Sequence, residues 1–289
     1  MAIAFLATFT PVLILWIALY HWKGAWTAVL GGGLLLTTLH FPSAVGQYAD
    51  ALLALHMLAA AVLLYLSFHT PQPGLFVLTG LLAGSSAWVK NEGLLFAFVL
   101  SFVCILAAWN NHIKWENIKW LLIGLVLPLV VVLVYKIVVN VQNDLFTPTG
   151  SIVARILDLS RWWVIAWNMV VRSIDFGNWP VSIIFILLMY ALLMGYTPKD
   201  APRKLWLFLL WVGQLAGYFG IYLITPHDLQ LHINTSIDRL LSHIFPLFTF
   251  WMFLRLRSPD AELFPAEIRD VEHEPDPSHP STNAERMVE

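Results

Sequence analysis

Residues 85–96 read SSAWVKNEGLLF, which sets Lys90, Asn91 and Glu92 side by side inside an apolar stretch running from Gly74 to Trp109. As one continuous helix that stretch would be about 53 Å long at 1.5 Å per residue, far beyond the roughly 30 Å of a hydrocarbon core. The chain must fold back, and Lys90-Asn91-Glu92-Gly93 is the polar break available for it. The reading is a helical hairpin with this tetrapeptide at its tip. Whether its arms cross the bilayer or re-enter it, the chain returns to the side it left, so the topology of the rest does not depend on that choice.

A hairpin of this kind presupposes lipid as the solvent, and the composition agrees. The chain is 59% hydrophobic and only 12% charged, with a mean hydropathy of +0.73, too apolar for a water-soluble domain of 289 residues. Nine apolar segments, 2–20, 25–40, 50–68, 74–89, 93–108, 120–142, 181–197, 205–225 and 240–254, approach the length of a span. Their continuous Leu, Val, Ile and Ala runs lack the alternation of barrel strands, and lipid leaves no partner for open backbone groups, so they read as helices. The expected fold is an all-α polytopic integral membrane protein with about nine transmembrane or re-entrant helices. The first segment lacks a basic region and a small-residue cleavage site, and reads as a retained span. Cys104 is the single cysteine, which rules out a disulfide framework or a thiolate metal site; it reads as a buried small hydrophobe.

Basic residues orient such a chain, because cytoplasmic loops carry the excess. With Lys23 inside, counting spans also puts Lys114, Lys119, Lys199, Arg203, Lys204, Arg255 and Arg257 inside. Of the nine acids before the C-terminal tail, only Glu116 and Asp200 fall on that side; Asp50, Glu92, Asp144, Asp158, Asp175, Asp228 and Asp238 gather outside. The expected location is the bacterial inner membrane, with a transmembrane domain over 1–257 and a Pro-rich, acidic tail, 258–289, disordered in the cytoplasm. The outer segment 143–180 contains ARILDLSRWWVIAWNMVVRS, with Ile156, Leu159, Trp163, Trp167 and Val170 at helical spacing and Arg155, Arg161 and Arg172 between. It reads as one amphipathic helix lying in the interface. PHDLQLHINTSIDR, 226–239, reads as a further outer loop.

Ionisable residues at membrane depth are costly and mark functional sites by default. Asp50 and Asp238, from separate loops, would meet Lys90 and Arg239. Cations beside carboxylates suit a substrate bearing a phosphate and a hydroxyl, the cation holding the phosphate and the carboxylate taking a proton. That chemistry describes sugar transfer from a lipid phosphate.

At this point TTLHFPSAVGQYADALLALHMLAAAVLLYL, followed after a short loop by LTGLLAGSSAWVKNEGLLF, resembles the core of the GT-C membrane glycosyltransferases. The nearest likeness is to the bacterial family-39 type, similar to protein O-mannosyltransferases and lipid A aminoarabinose transferases. In those, an outer Asp stands just before a helix and a Lys-bearing hairpin tip follows one helix pair later. Asp50 and Lys90-Asn91-Glu92-Gly93 match in kind, order and spacing. LQLHINTSIDRLLSHIFP resembles a late outer loop of many members, with His232, Ser236, Asp238 and Arg239 matching. The family also begins with a helix and a large outer loop carrying its principal acidic pair, and no counterpart precedes Asp50 here. The chain therefore reads as an N-terminally truncated form or a fragment, and the family's main catalytic carboxylate maps to no position.

The resemblance implies Asp50 as the catalytic residue and Lys90, Asn91, Glu92, His232, Asp238 and Arg239 as substrate contacts. A polyprenyl-phosphate sugar would be the donor, a lipid, glycan or protein the acceptor, and nucleic acid no partner. His227 and His232 lack the ligand spacing of zinc, so no essential metal is expected, although carboxylates are compatible with a divalent cation. Simpler roles stand beside these. Asp50 suits a helix cap, Lys90 and Lys136 suit snorkelling to headgroups, Glu92 suits pairing with Lys90, Asp238 suits pairing with Arg239, and His56 suits an interhelical hydrogen bond. Two rival functions are a transporter or flippase of a lipid-linked substrate and an inactive scaffold of the same fold.

Overall fold

Helix forms wherever the sequence runs apolar without alternation. The computed structural model describes residues 2–38, 48–139, 151–177 and 179–260. Each of the nine apolar segments contains a helix: α1 (Ala2–Lys23), α2 (Ala25–Thr38), α3 (Tyr48–His69), α4 (Pro73–Val89), α5 (Asn91–Trp109), α6 (Trp115–Val138), α9 (Ile183–Met194), α10 (Ala201–Ile224) and α11 (Leu229–Arg255). Two further helices, α7 (Ile152–Leu157) and α8 (Leu159–Ile174), lie between α6 and α9. Among the described residues no strand is present beyond an isolated bridge between Tyr196 and Leu256. Five helices (α3, α5, α6, α10 and α11) are long and apolar enough to cross a membrane; α2, α4 and α9 are apolar but shorter. The exterior carries Phe98, Leu127, Val138, Leu192 and Leu193 almost fully exposed. Such a surface is stable against lipid and not against water, so the chain is a helical membrane protein.

The hairpin forms as expected, with a one-residue corner. Lys90 is extended (φ −157, ψ 161) between the end of α4 and the start of α5. The corner is tight enough that a Cβ on Gly93 would lie 1.9 Å from the Ser86 carbonyl oxygen, and the Ser86 hydroxyl donates to the Gly93 carbonyl at 2.9 Å. At the open end Pro71 and Pro73 line one groove with Asn111–Trp115, which shows that the chain returns to its starting side. Helix α6 then runs alongside α4 so closely that a Cβ on Gly80 would meet the Leu121 carbonyl at 2.1 Å and one on Gly124 the Val77 carbonyl at 2.0 Å. Small residues permit that backbone approach.

The helices alternate up and down, which sorts the loops into two ends. One end gathers the basic loops. Lys23 Nζ donates to the Leu256 carbonyl at 2.5 Å, Arg203 reaches His69 at 3.5 Å, His112 stacks edge-on with Trp206, and Thr197 N–H donates to the Arg255 carbonyl at 3.0 Å. The opposite end holds Asp50, the hairpin tip, α7, α8 and the start of α11.

Several expectations need correction. PHDLQLHINTSIDR is no loop beyond Asp228: the Asp228 carboxylate accepts the Leu231 N–H at 2.8 Å, and α11 runs on from Leu229 with Ile233, Ile237 and Leu240 buried on one face. The single amphipathic helix is broken at Asp158, which caps α8 by accepting the Ser160 N–H at 3.0 Å. His56 hydrogen-bonds the Leu52 carbonyl of its own helix at 2.7 Å, and among the described residues it makes no bond to another helix. Ser258 to Asp260, placed in the tail, are docked: Asp260 accepts the Trp26 and Thr27 N–H groups, each at 3.2 Å, and so caps α2 from a distance. Residues 261–289 lie outside the described residues, as do 39–47 and 140–150, on which parts of the expected outer loops fall.

Candidate functional site

Four helices deliver one polar cluster to the end opposite the basic loops. Asp50 is the third residue of α3, so it sits in the first turn, where the helix dipole favours a carboxylate, but it is not the cap. It is 7% exposed. Its Oδ1 accepts from Lys90 Nζ and from His243 Nε2 at 2.6 Å, and its Oδ2 accepts from Arg239 Nε at 3.2 Å. Lys90 comes from the corner between α4 and α5, where the extended residue turns its side chain toward α3. Arg239 and His243 come from α11, four residues apart and therefore on one face.

The buried imidazole of His243 is fixed at both nitrogens. With Nε2–H donating to Asp50, Nδ1 accepts from the Tyr218 hydroxyl of α10 at 3.4 Å. Asp50 thus has both oxygens occupied by three donors. The cations are not saturated. Lys90 has three N–H groups and Arg239 five, and each uses one on Asp50. Arg239 also keeps its side chain 42% exposed. The cluster is one carboxylate gathering two cations whose remaining donors have no acceptor among the described residues and can take an anion.

Glu92 stands beside this arrangement, close enough that its charge acts on His243, Tyr218 and Tyr222. Its backbone carbonyl accepts from Gln214 Nε2 at 3.2 Å, which ties the first turn of α5 to α10. Among the described residues no cation lies within ion-pair distance of its carboxylate. The expected pair with Lys90 does not form, because Asp50 takes that ammonium. Asn91 accepts from Lys136 Nζ at 2.8 Å, so Lys136 is tied to the hairpin tip and does more than snorkel.

Two expected contacts fall outside the cluster. Asp238 faces away from Asp50 and pairs with Arg172 of α8 at 3.6 Å, leaving Arg239 to Asp50. His232, two turns earlier on α11, is bonded to the Thr225 hydroxyl at 3.0 Å and stacks edge-on with Tyr222. Asp238 ties α11 to α8 and His232 ties it to the end of α10, while Arg155 of α7 and Arg161 of α8 donate to the carbonyls of Ile224, Tyr222 and Thr225 at that same end of α10. Sequence reasoning missed His243 and Tyr218. The available signal was the Arg239-x-x-x-His243 spacing, which places both on the side of α11 that meets Asp50. Among the described residues no group of three His, Cys, Asp or Glu side chains is placed to hold a metal ion.

Comparison with protein-family models, with curated proteins and with solved structures gives no match for this chain.

Proposed function

We propose that the chain is a glycosyltransferase that takes a sugar from a polyprenyl-phosphate donor at the extracytoplasmic face of the bacterial inner membrane. The observation that supports this reading is the convergence of Lys90, Arg239 and His243 on the buried Asp50, with spare N–H donors on both cations. Neutralised in part by Asp50, Lys90 and Arg239 hold the donor phosphate at membrane depth, where a desolvated charge-assisted hydrogen bond is strongest. Asp50 then acts as the counter-ion that aims them, and its occupied oxygens leave proton transfer to another carboxylate. Glu92 fills that role. The acceptor hydroxyl attacks the anomeric carbon, its proton passes to Glu92, and the bond from that carbon to the phosphate oxygen breaks. The leaving phosphate keeps the electron pair, and Lys90 and Arg239 stabilise it.

Binding and chemistry are separable in the test. For the full chain in nanodiscs, Arg239→Ala and Lys90→Ala should each weaken retention of polyprenyl phosphate, read by native mass spectrometry, by roughly tenfold or more. Glu92→Gln should leave retention within about twofold while transfer falls by roughly a hundredfold, the size of a general-base contribution. Unchanged retention in Arg239→Ala removes the phosphate role, and unchanged transfer in Glu92→Gln removes the base. The proposed orientation is checked separately. A cysteine at Ser160 should react in intact cells with a membrane-impermeant maleimide, and one at Lys199 only after lysis.

A further inference from the structure

The opposite end of the bundle holds a second set of charges that the phosphate-transfer reading does not use. Lys23 ends α1, Lys199, Arg203 and Lys204 surround the start of α10, and Arg255 ends α11. Lys204 is only 4% exposed. These groups act on one another: Lys23 feels Lys199 and Lys204, and Lys204 feels Lys199 and Arg255. Among the described residues the acids nearby are two. Asp200 pairs with Arg203 at 2.7 Å, and Asp260 is committed to the N-terminus of α2. Five cations against one locally paired carboxylate leave a surplus of positive charge, and burial makes it costly at Lys204.

Two independent features point the same way. Arg203 and Lys204 lie in the first turn of α10, where the helix dipole is already positive and disfavours cations. His69, at the end of α3, takes the Arg203 guanidinium on Nδ1 at 3.5 Å, which places its proton on Nε2. That Nε2 is buried with no hydrogen-bond partner among the described residues. A buried N–H without an acceptor, near ammonium groups that are only partly satisfied, suits a multiply charged oxyanion. Among the described residues Lys23 and Lys204 each donate to one backbone carbonyl, Leu256 and Lys199, which leaves each ammonium with donors to spare there.

We propose that the ends of α1, α3 and α10 form a second binding site, for the phosphate of an anionic phospholipid headgroup or of a soluble phosphate compound. Lys23, Lys199, Arg203 and Lys204 are its cations and His69 Nε2–H its neutral donor. The site is independent of the Asp50 cluster, so neither stands or falls with the other.

The test uses the full chain, delipidated in detergent, with phosphatidylglycerol, phosphatidylcholine and inorganic phosphate as separate probes in native mass spectrometry. Phosphatidylglycerol should bind at least tenfold tighter than phosphatidylcholine, and the Lys199→Gln/Arg203→Gln variant should lose that preference. Lys114→Gln/Lys119→Gln, which removes two charges from the same end outside the site, should keep it. Protection by inorganic phosphate equal to that by phosphatidylglycerol identifies the soluble source and also supports the site. Equal binding by wild type and the Lys199→Gln/Arg203→Gln variant overturns the proposal. A carbodiimide cross-link joining Lys199 or Lys204 to any of Glu262, Glu267 or Asp270 also overturns it, because the chain's own carboxylates would then be the anion.

Discussion

At the scale of single residues, Asp50 is the side chain on which the most other groups depend. Removing it would leave the Lys90 ammonium and the Arg239 guanidinium facing each other, and His243 without its acceptor. Breaking a buried pair from one side costs about 3–5 kcal/mol, more than the net worth of the pair, because the charge left behind has no partner. Asp50→Ala should therefore destabilise the protein by about that amount, measured as a shift of the denaturation midpoint in detergent. Combining Asp50→Ala with Lys90→Met should recover part of the loss, since the stranded ammonium goes too. Asp50, Lys90 and Arg239 were legible in the sequence because charge inside apolar sequence is conspicuous. His243 was not: it sits in LSHIFPLF, and an imidazole there has many ordinary uses. Its role appears only once α11 is turned so that residues 239 and 243 face α3.

Among the elements, the pairing of α4 with α6 governs where the hairpin tip is held. The two backbones approach through Gly80 and Gly124, and a side chain on either would drive into a facing carbonyl. That obstacle is backbone, which has no rotamer to change. Gly80→Val should separate the helices and cost about 1–3 kcal/mol, the range for overpacking. Because Lys136 near the end of α6 holds Asn91, the same substitution should also loosen the tip. Faster amide hydrogen exchange at Asn91 to Gly93 in Gly80→Val would show it; exchange unchanged from the wild type would mean the tip is held without Lys136, by the contacts of Ser86, Gln214 and Asp50. The small residues of this contact were visible in TGLLAG, Thr79 to Gly84, but their partner was not, since a glycine spacing names no neighbour.

Across the whole molecule, the corner between α1 and α2 is joined to the segment that follows α11 at the basic face. Asp260 follows α11 and caps α2, Ser258 donates to the Lys23 carbonyl at 2.6 Å, and Lys23 donates to Leu256. Burial alone would raise the Asp260 carboxyl, but the N–H groups of Trp26 and Thr27 and the Ser258 hydroxyl outweigh it, so its pKa lies below the usual range. A depressed carboxyl stabilises the fold above its unfolded pKa, about 3.9, and that contribution is lost as pH falls through the folded value. Asp260→Ala should cost about 1 kcal/mol at neutral pH, as losing a helix cap does. The gap between wild type and variant should narrow as pH falls below the unfolded value and through the lower folded one; a gap independent of pH would mean that the carboxylate is not the cap.

The sequence by itself determined the solvent, the helices and the side to which each loop returns, because those follow from hydropathy, span length and the parity of crossings. It also marked the charged residues that a membrane protein keeps only for a purpose. Which of those charges meet was decided by tertiary structure alone. Asp50 gathers Lys90, Arg239 and His243 from positions 40, 189 and 193 residues away, while Glu92 and Asp238, equally charged and on the same face, stay outside that clasp. Ion pairing depends on how helices rotate and cross, and an apolar run carries little information about its own rotation.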